Sequence, residues 1–155
     1  MSSTAPAIDD EGVVLSLTRV PVEYVDRYWG DASRLLERAV GQSGGRYNIE
    51  SIYLEIVRGD SHLWVIFEGE DNVVCAFTTQ FIHYPLKANL SVVFLGSDDS
   101  LGNFSGKWVE LMPELMEWAK LHGCGAIEIV GRRGWLRVFR DLGFKESYTT
   151  IEGEV

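Results

Sequence analysis

Three β-rich runs lie almost end to end in the middle of the chain: "HLWVIFEG", "VVCAFTTQFIHY" and "NLSVVFLG", separated only by "EDN" and "PLKA". A crossover between parallel strands needs about a dozen residues, so connectors this short leave only an antiparallel meander. Everything else must be laid over that meander or beside it.

On the N-terminal side, "GVVLSLTRV" alternates and predicts a strand over Val13 to Arg19. "PVEYVDRYWGDASRLLERAVG" then places Val25, Tyr28, Trp29, Ala32, Leu35, Leu36, Ala39 and Val40 at helical spacing, with Pro21 suited to the first turn and Gly41 to the end. After the connector "GQSGG", Asn48 can cap a second helix with Ile49, Ile52, Tyr53 and Ile56 as its inner stripe and Gly59 as its stop. On the C-terminal side a polar loop, "SDDSLGNFSGK", leads to a helix in which Leu115, Trp118, Ala119 and His122 share a face. "AIEIV" reads as a buried strand. "GRRGWLRVFRDLGF" reads as a last helix packing Trp135, Val138, Phe139 and Leu142, and "YTTIEGEV" as a terminal strand. The predicted order is β-α-α-β-β-β-α-β-α-β, an α/β (α+β) mixed sheet with helices on both faces, in one domain over residues 12–155 after a flexible tail at 1–11.

Charge narrows the partners. With 14 Lys+Arg against 23 Asp+Glu the formal net charge is -9, which repels nucleic acid and anionic lipid over long range and favours a protein partner or self-association. The first ten residues carry no basic or apolar signal-peptide region, and no apolar run has the length of a membrane span. A soluble, intracellular protein is the expectation. Cys75 and Cys124 stand 49 residues apart in apolar runs, a spacing of neither a metal site nor a disulfide framework, so both are expected as small core residues and no metal is expected.

The chain resembles the GNAT superfamily of N-acetyltransferases, over nearly its whole length in element order and in sequence detail chiefly in the C-terminal third. "VFRDLGF" is similar to that family's "LYEKLGF" segment, where a helix after the fifth strand runs into a Gly-Phe turn, and the "GDSHLWVIFEGEDNVV" hairpin is similar to its second and third strands. The "LWVIF" strand and the "GRRGW" lead-in to the last helix resemble small GNAT-like proteins encoded by bacteriophages and prophages, which implies a virion-associated role. The resemblance implies acyl transfer from coenzyme A to an amine. That chemistry needs backbone N–H groups at a helix start for the pyrophosphate, a base for the amine and an acid for the departing thiolate.

Two parts of that machinery depart from the family. Its pyrophosphate loop carries Gln or Arg, two residues, Gly, one residue, then Gly or Ala. The aligned residues here are Leu101, Gly102, Asn103, Phe104, Ser105 and Gly106, which agree only at the last. Leu101 replaces the leading cation or amide. Phe104 replaces the glycine that lets phosphate approach the backbone, and is expected to narrow the donor groove. Asp98 and Asp99 add repulsion, and Pro113 would remove a helical bond from a helix begun at Gly106. Phe139 stands where many family members have a tyrosine hydroxyl near the thiolate, and Arg132 where an asparagine is usual.

Other candidates are weaker. His83, on a strand that would border the acceptor cleft, is the one catalytic histidine candidate; His122, near a helix end, fits a C-terminal dipole contact, and Glu128 a solvated or paired strand residue. Among the tryptophans, Trp108 follows the polar loop and is expected at the surface. Arg133, Arg137 and Arg140 fall on one helical strip at i, i+4, i+7; with Trp108 they form the candidate partner-binding set, the bland alternative being pairing with Asp141, Glu146, Glu152 or Glu154. The reading that follows is a GNAT-fold binding or structural module of phage type that needs no cofactor. The alternative is an N-acyltransferase using acetyl-CoA on an amine.

Overall fold

The computed structural model describes residues 2–3, 7–8, 14–98, 108–131, 137 and 139–155. Its strands are β1 (Ser2–Ser3), β2 (Ala7–Ile8), β3 (Val14–Val20), β4 (His62–Glu68), β5 (Asn72–His83), β6 (Ala88–Ser97) and β7 (Ala126–Ile129). Its helices are α1 (Val25–Gly41), α2 (Ile49–Arg58) and α3 (Trp108–Leu121). β3, β4, β5 and β6 pair antiparallel in chain order, and β7 joins β6 in parallel. The meander thus forms as its connectors require. The fold is the expected mixed α/β sheet with helices on both faces.

Period-2 alternation divides the core into two layers. Leu15, Leu17, Trp64, Ile66, Phe77, Leu90 and Val92 meet Leu111, Met112, Leu115 and Ala119 of α3 on one face. Leu63, Val65, Phe67 and Ala76 meet Ala32, Leu36, Ile52 and Ile56 of α1 and α2 on the other. Two register shifts break the alternation: Val74 has no partner opposite on β4, and Val93 none on β5. Each shift turns two successive residues to the same layer, Val74 with Cys75 and Val93 with Phe94.

The caps follow the sequence. Asn48 Oδ1 accepts from Ser51 N at 2.8 Å and Ser51 Oγ accepts from Asn48 N at 2.9 Å, a reciprocal capping box, and Gly59 ends α2 at φ 83°. Tyr53 donates to Asp26 and ties α2 to α1. A 3-10 turn, Val22–Tyr24, precedes α1, and Pro113 lies inside α3.

Three expectations need correction. No strand forms over "YTTIEGEV": residues 144–155 carry no regular structure, because Tyr148, Ile151 and Val155 find no face to bury and stand exposed. "AIEIV" forms β7 but is half-buried, since among the described residues only β6 pairs with it. The last helix is α-helical at Arg137 and Phe139, in line with the expectation, and runs into a 3-10 turn over Arg140–Leu142 ended by Gly143 at φ 88°. Phe139 and Leu142 pack as expected, whereas Trp135 and Val138 lie outside the described residues. At the N-terminus, β1 and β2 pair with β3 inside the segment expected as a tail.

Candidate functional site

Among the described residues, the sheet changes from antiparallel to parallel pairing at the β6–β7 junction alone. The ladder runs from Asn89↔Ala126 to Val92↔Ile129, and Val130 N donates to Val92 O at 2.9 Å beyond it. Among the described residues, β6 continues through Val93 to Ser97 with only β5 beside it. Open α/β sheets bind ligands in such a crevice, outside the carboxyl ends of parallel strands. Gly96 shapes this end of β6. A Cβ there would lie 1.8 Å from the Leu35 carbonyl oxygen, so α1 packs its backbone directly on the strand. Asp98 N donates to Val74 O at 2.9 Å and pins the strand end to the β5 bulge.

The residues expected to hold a donor, Leu101, Gly102, Asn103, Phe104, Ser105 and Gly106, lie outside the described residues, as do Asp99, Arg132 and Arg133. α3 begins at Trp108, two positions after Gly106; the Trp108 side chain is also outside the described residues. Phe139 is buried in the α3 layer with its ring 5.4 Å from that of Phe144. A phenyl ring offers no proton to a thiolate. Arg137 and Arg140 are exposed, and Glu152, one of their candidate partners, pairs with Arg46 in the connector after α1 instead.

Beside the crevice, on the α1–α2 face, a polar row crosses the sheet where apolar residues would be ordinary. Gln80, Ser91 and Glu128 are direct register partners across β5, β6 and β7. Glu128 Oε1 accepts from Tyr84 OH at 2.6 Å and from Asn89 Nδ2 at 3.1 Å. Asn89 Oδ1 is buried with no hydrogen-bond partner among the described residues. An amide flip does not relieve it, because the flip would turn oxygen toward the carboxylate. The hydrogen bond to Glu128, then desolvation, then Tyr148 raise the Tyr84 pKa well above the usual phenol value, so the hydroxyl stays a donor. At the α2 end of the row, Gln80 Nε2 donates to Glu55 Oε2 at 2.9 Å and Ser61 Oγ at 2.8 Å.

His83, paired with Ala88 at the start of β6, lies at the opposite end of the sheet from the crevice, whereas His62 on β4 is level with the crevice, in register through Thr79 and Val92 with Ile129. His83 is exposed at the last position of β5. His122 places Nδ1 2.8 Å from Trp118 O, a contact with the C-terminal carbonyls of α3. His62 is half-buried between Phe81 and Trp118, its Nδ1 2.9 Å from Thr79 Oγ1, which also accepts from Trp64 Nε1 at 2.9 Å. Burial first, then the charges of Arg19 and His122, lower its pKa to about 4.

Glu128 was legible in the sequence as a solvated or paired strand residue, and it is paired. Tyr84 and Asn89 were not legible as its partners. They stand 44 and 39 residues away, and only the parallel register of β7 brings them together.

This arrangement, a meander followed by one parallel strand with helices on both faces, is the GNAT-type acetyltransferase fold. An aminoglycoside acetyltransferase from an uncultured soil metagenomic sample, solved with sisomicin, matches with a TM-score of 0.68 at 12% identity, over 91% of this chain and 96% of that one. A "predicted acetyltransferase with acetyl-CoA" from Clostridium acetobutylicum matches with a TM-score of 0.64 at 12% identity, over 90% and 96%. A transcriptional regulator from Bacillus halodurans C-125 matches with a TM-score of 0.65 at 18% identity, over 91% and 99%. No protein-family model and no curated protein matches the chain. Such identities establish the fold and leave the activity to the site. Among the described residues no helix is long and apolar enough to cross a membrane, and no group of His, Cys, Asp or Glu is arranged to hold a metal ion.

Proposed function

We propose that this protein is a GNAT-fold binding or structural module that does not carry out acetyl transfer. Phe139 carries the reading: the residue aligned with the family's acid is a ring sealed into the core, with no hydroxyl and no exposure to a thiolate. The sequence at the donor loop points the same way, with Leu101 and Phe104 in place of the cation or amide and the glycine that cradle pyrophosphate. The "GRRGW" lead-in, similar to phage-encoded relatives of the fold, extends the reading to a component of a virus particle. Arg133, Arg137 and Arg140 then serve an acidic protein partner, held by guanidinium forks.

A second reading rests on Asn89 and Glu128. A buried carbonyl oxygen lacking a donor, beside a carboxylate, suits an ammonium ligand, and in an N-acyltransferase Glu128 would take the amine proton. The two readings separate in one assay. Purified protein is incubated with acetyl-CoA and a panel of primary amines, and released coenzyme A is resolved chromatographically for the wild type and Glu128→Gln. The module releases none above the uncatalysed background; release that Glu128→Gln abolishes would replace it with the enzyme.

A further inference from the structure

One corner of the α3 layer is cationic. Arg19 on β3 and Trp64 on β4 are direct register partners, so Arg19 shares the face of Trp64, and His62 stands two positions before Trp64 on that same face. Phe81 of β5 and Trp118 and His122 of α3 complete it. The Phe81 and Trp118 rings stack with centroids 5.6 Å apart, and the His62 ring meets them edge-on at 4.7 and 5.2 Å. The His122 ring lies 4.1 Å from that of Trp118. Arg19, His62, Phe81 and Trp118 are half-buried and His122 is exposed, so the corner opens to solvent. It shares no residue with the β6–β7 crevice and lies on the opposite face from the polar row.

The corner lacks a counter-charge. Arg19 Nε is buried with no hydrogen-bond partner among the described residues, and a guanidinium stays charged at any working pH, so a charged donor is held out of water without an acceptor. After burial, it is the charges of Arg19 and His122 that hold the His62 pKa down, and among the described residues no carboxylate offsets them. Glu114, one turn before Trp118 on α3, keeps its own buried Oε2 without a hydrogen-bond partner among the described residues, so that oxygen does not serve Arg19. In a chain with 23 Asp+Glu against 14 Lys+Arg, an arginine left without an acid is the anomaly.

We propose that this corner binds a small organic carboxylate with a planar apolar body. The carboxylate accepts from the Arg19 guanidinium beside the His62 ring, and the body lies along Phe81 and Trp118. An inorganic anion would meet the same cation and leave the aromatic wall wet. The site is independent of the reading above, since it uses neither Phe139 nor the segment before α3.

The test is a heteronuclear NMR titration of the full chain at pH 7 with sodium benzoate, and separately with sodium acetate and sodium chloride at matched ionic strength. Benzoate is expected to give saturable shifts of the Arg19 Nε–H and the Trp118 indole N–H, acetate to bind at least about tenfold more weakly, and chloride to give no saturable shift. Arg19→Gln and Arg19→Lys are each expected to lose at least about tenfold in benzoate affinity, the lysine because an ammonium lacks the planar fork. Glu114→Gln is expected to bind as tightly as wild type. The comparison of anions on the wild type needs no variant, so the proposal can fail on it alone. Shifts that grow linearly and alike with all three salts would overturn it. So would saturable benzoate binding that Arg19→Gln leaves unchanged, or an Arg19 Nε–H signal that moves in Glu114→Gln and not with benzoate, which would make Glu114 its partner.

Discussion

Gly96→Ala is the smallest change that tests how α1 is seated over the crevice. Gly96 has no left-handed φ, so its requirement is space and not backbone freedom. The added methyl would lie 1.8 Å from Leu35 O and 2.6 Å from Leu35 C, and both are backbone atoms inside α1 that no rotamer change can move. Ordinary contact begins near 3.4 Å, so the helix must retreat by well over an ångström. That retreat loosens Leu35, Leu36 and Val40 against Phe94 in a close-packed layer. Overpacking a core costs about 1–3 kcal/mol, and a rigid backbone neighbour puts this site at the upper end, about 3 kcal/mol. For a domain of this size that lowers Tm by roughly 6–12 °C. Urea denaturation followed by circular dichroism gives the free energy, and a thermal scan gives the shift. A Gly96→Ala protein within about 0.5 kcal/mol of wild type would refute the close approach of α1 to β6.

Three further outcomes follow from the packing and the charges. His62 has a folded pKa of about 4 against 6.5 when unfolded, so the unfolded state binds the proton first. Stability is then unaffected by His62 above pH 6.5, falls as pH drops toward 4, and levels off below it; allowing for screening at a half-exposed ring the loss is about 1–2 kcal/mol. Comparing wild type with His62→Gln in urea titrations from pH 7 to pH 4 isolates this part, and equal slopes would exclude it. Asn48→Ala removes the acceptor of the α2 capping box and is expected to cost about 1 kcal/mol in the same titration at pH 7; no loss would show that the box does not hold the helix start. Glu152→Gln breaks the pair with Arg46 and is expected to change monomer stability by less than about 0.5 kcal/mol; a larger loss would show that the C-terminal segment is fastened to the α1–α2 connector.

The parts of the fold legible in the sequence are those decided by neighbours in the chain. Short connectors dictate the meander, the Asn48 cap and Gly59 stop are local hydrogen-bond and backbone choices, and the α1 stripe from Val25 to Val40 is a local period. Phe139 was legible as a core residue for the same reason. What was not legible is decided across the chain. A run such as "YTTIEGEV" has strand propensity without a strand, because propensity does not supply the second strand. The bulges at Val74 and Val93 leave no mark in composition, yet they decide which layer Cys75 and Phe94 enter. Glu152 was grouped with the arginines of the last helix by sequence proximity and pairs across the molecule with Arg46. The polar row of Gln80, Ser91 and Glu128 exists only in the register of three strands.

The central claim, that this fold is retained without the donor chemistry, is tested most directly by calorimetric titration with acetyl-CoA. The substitutions at Leu101, Phe104 and Phe139 predict no saturable heat below about 1 mM, corresponding to a binding free energy no more favourable than about -4 kcal/mol. A saturable isotherm with a micromolar dissociation constant would contradict it.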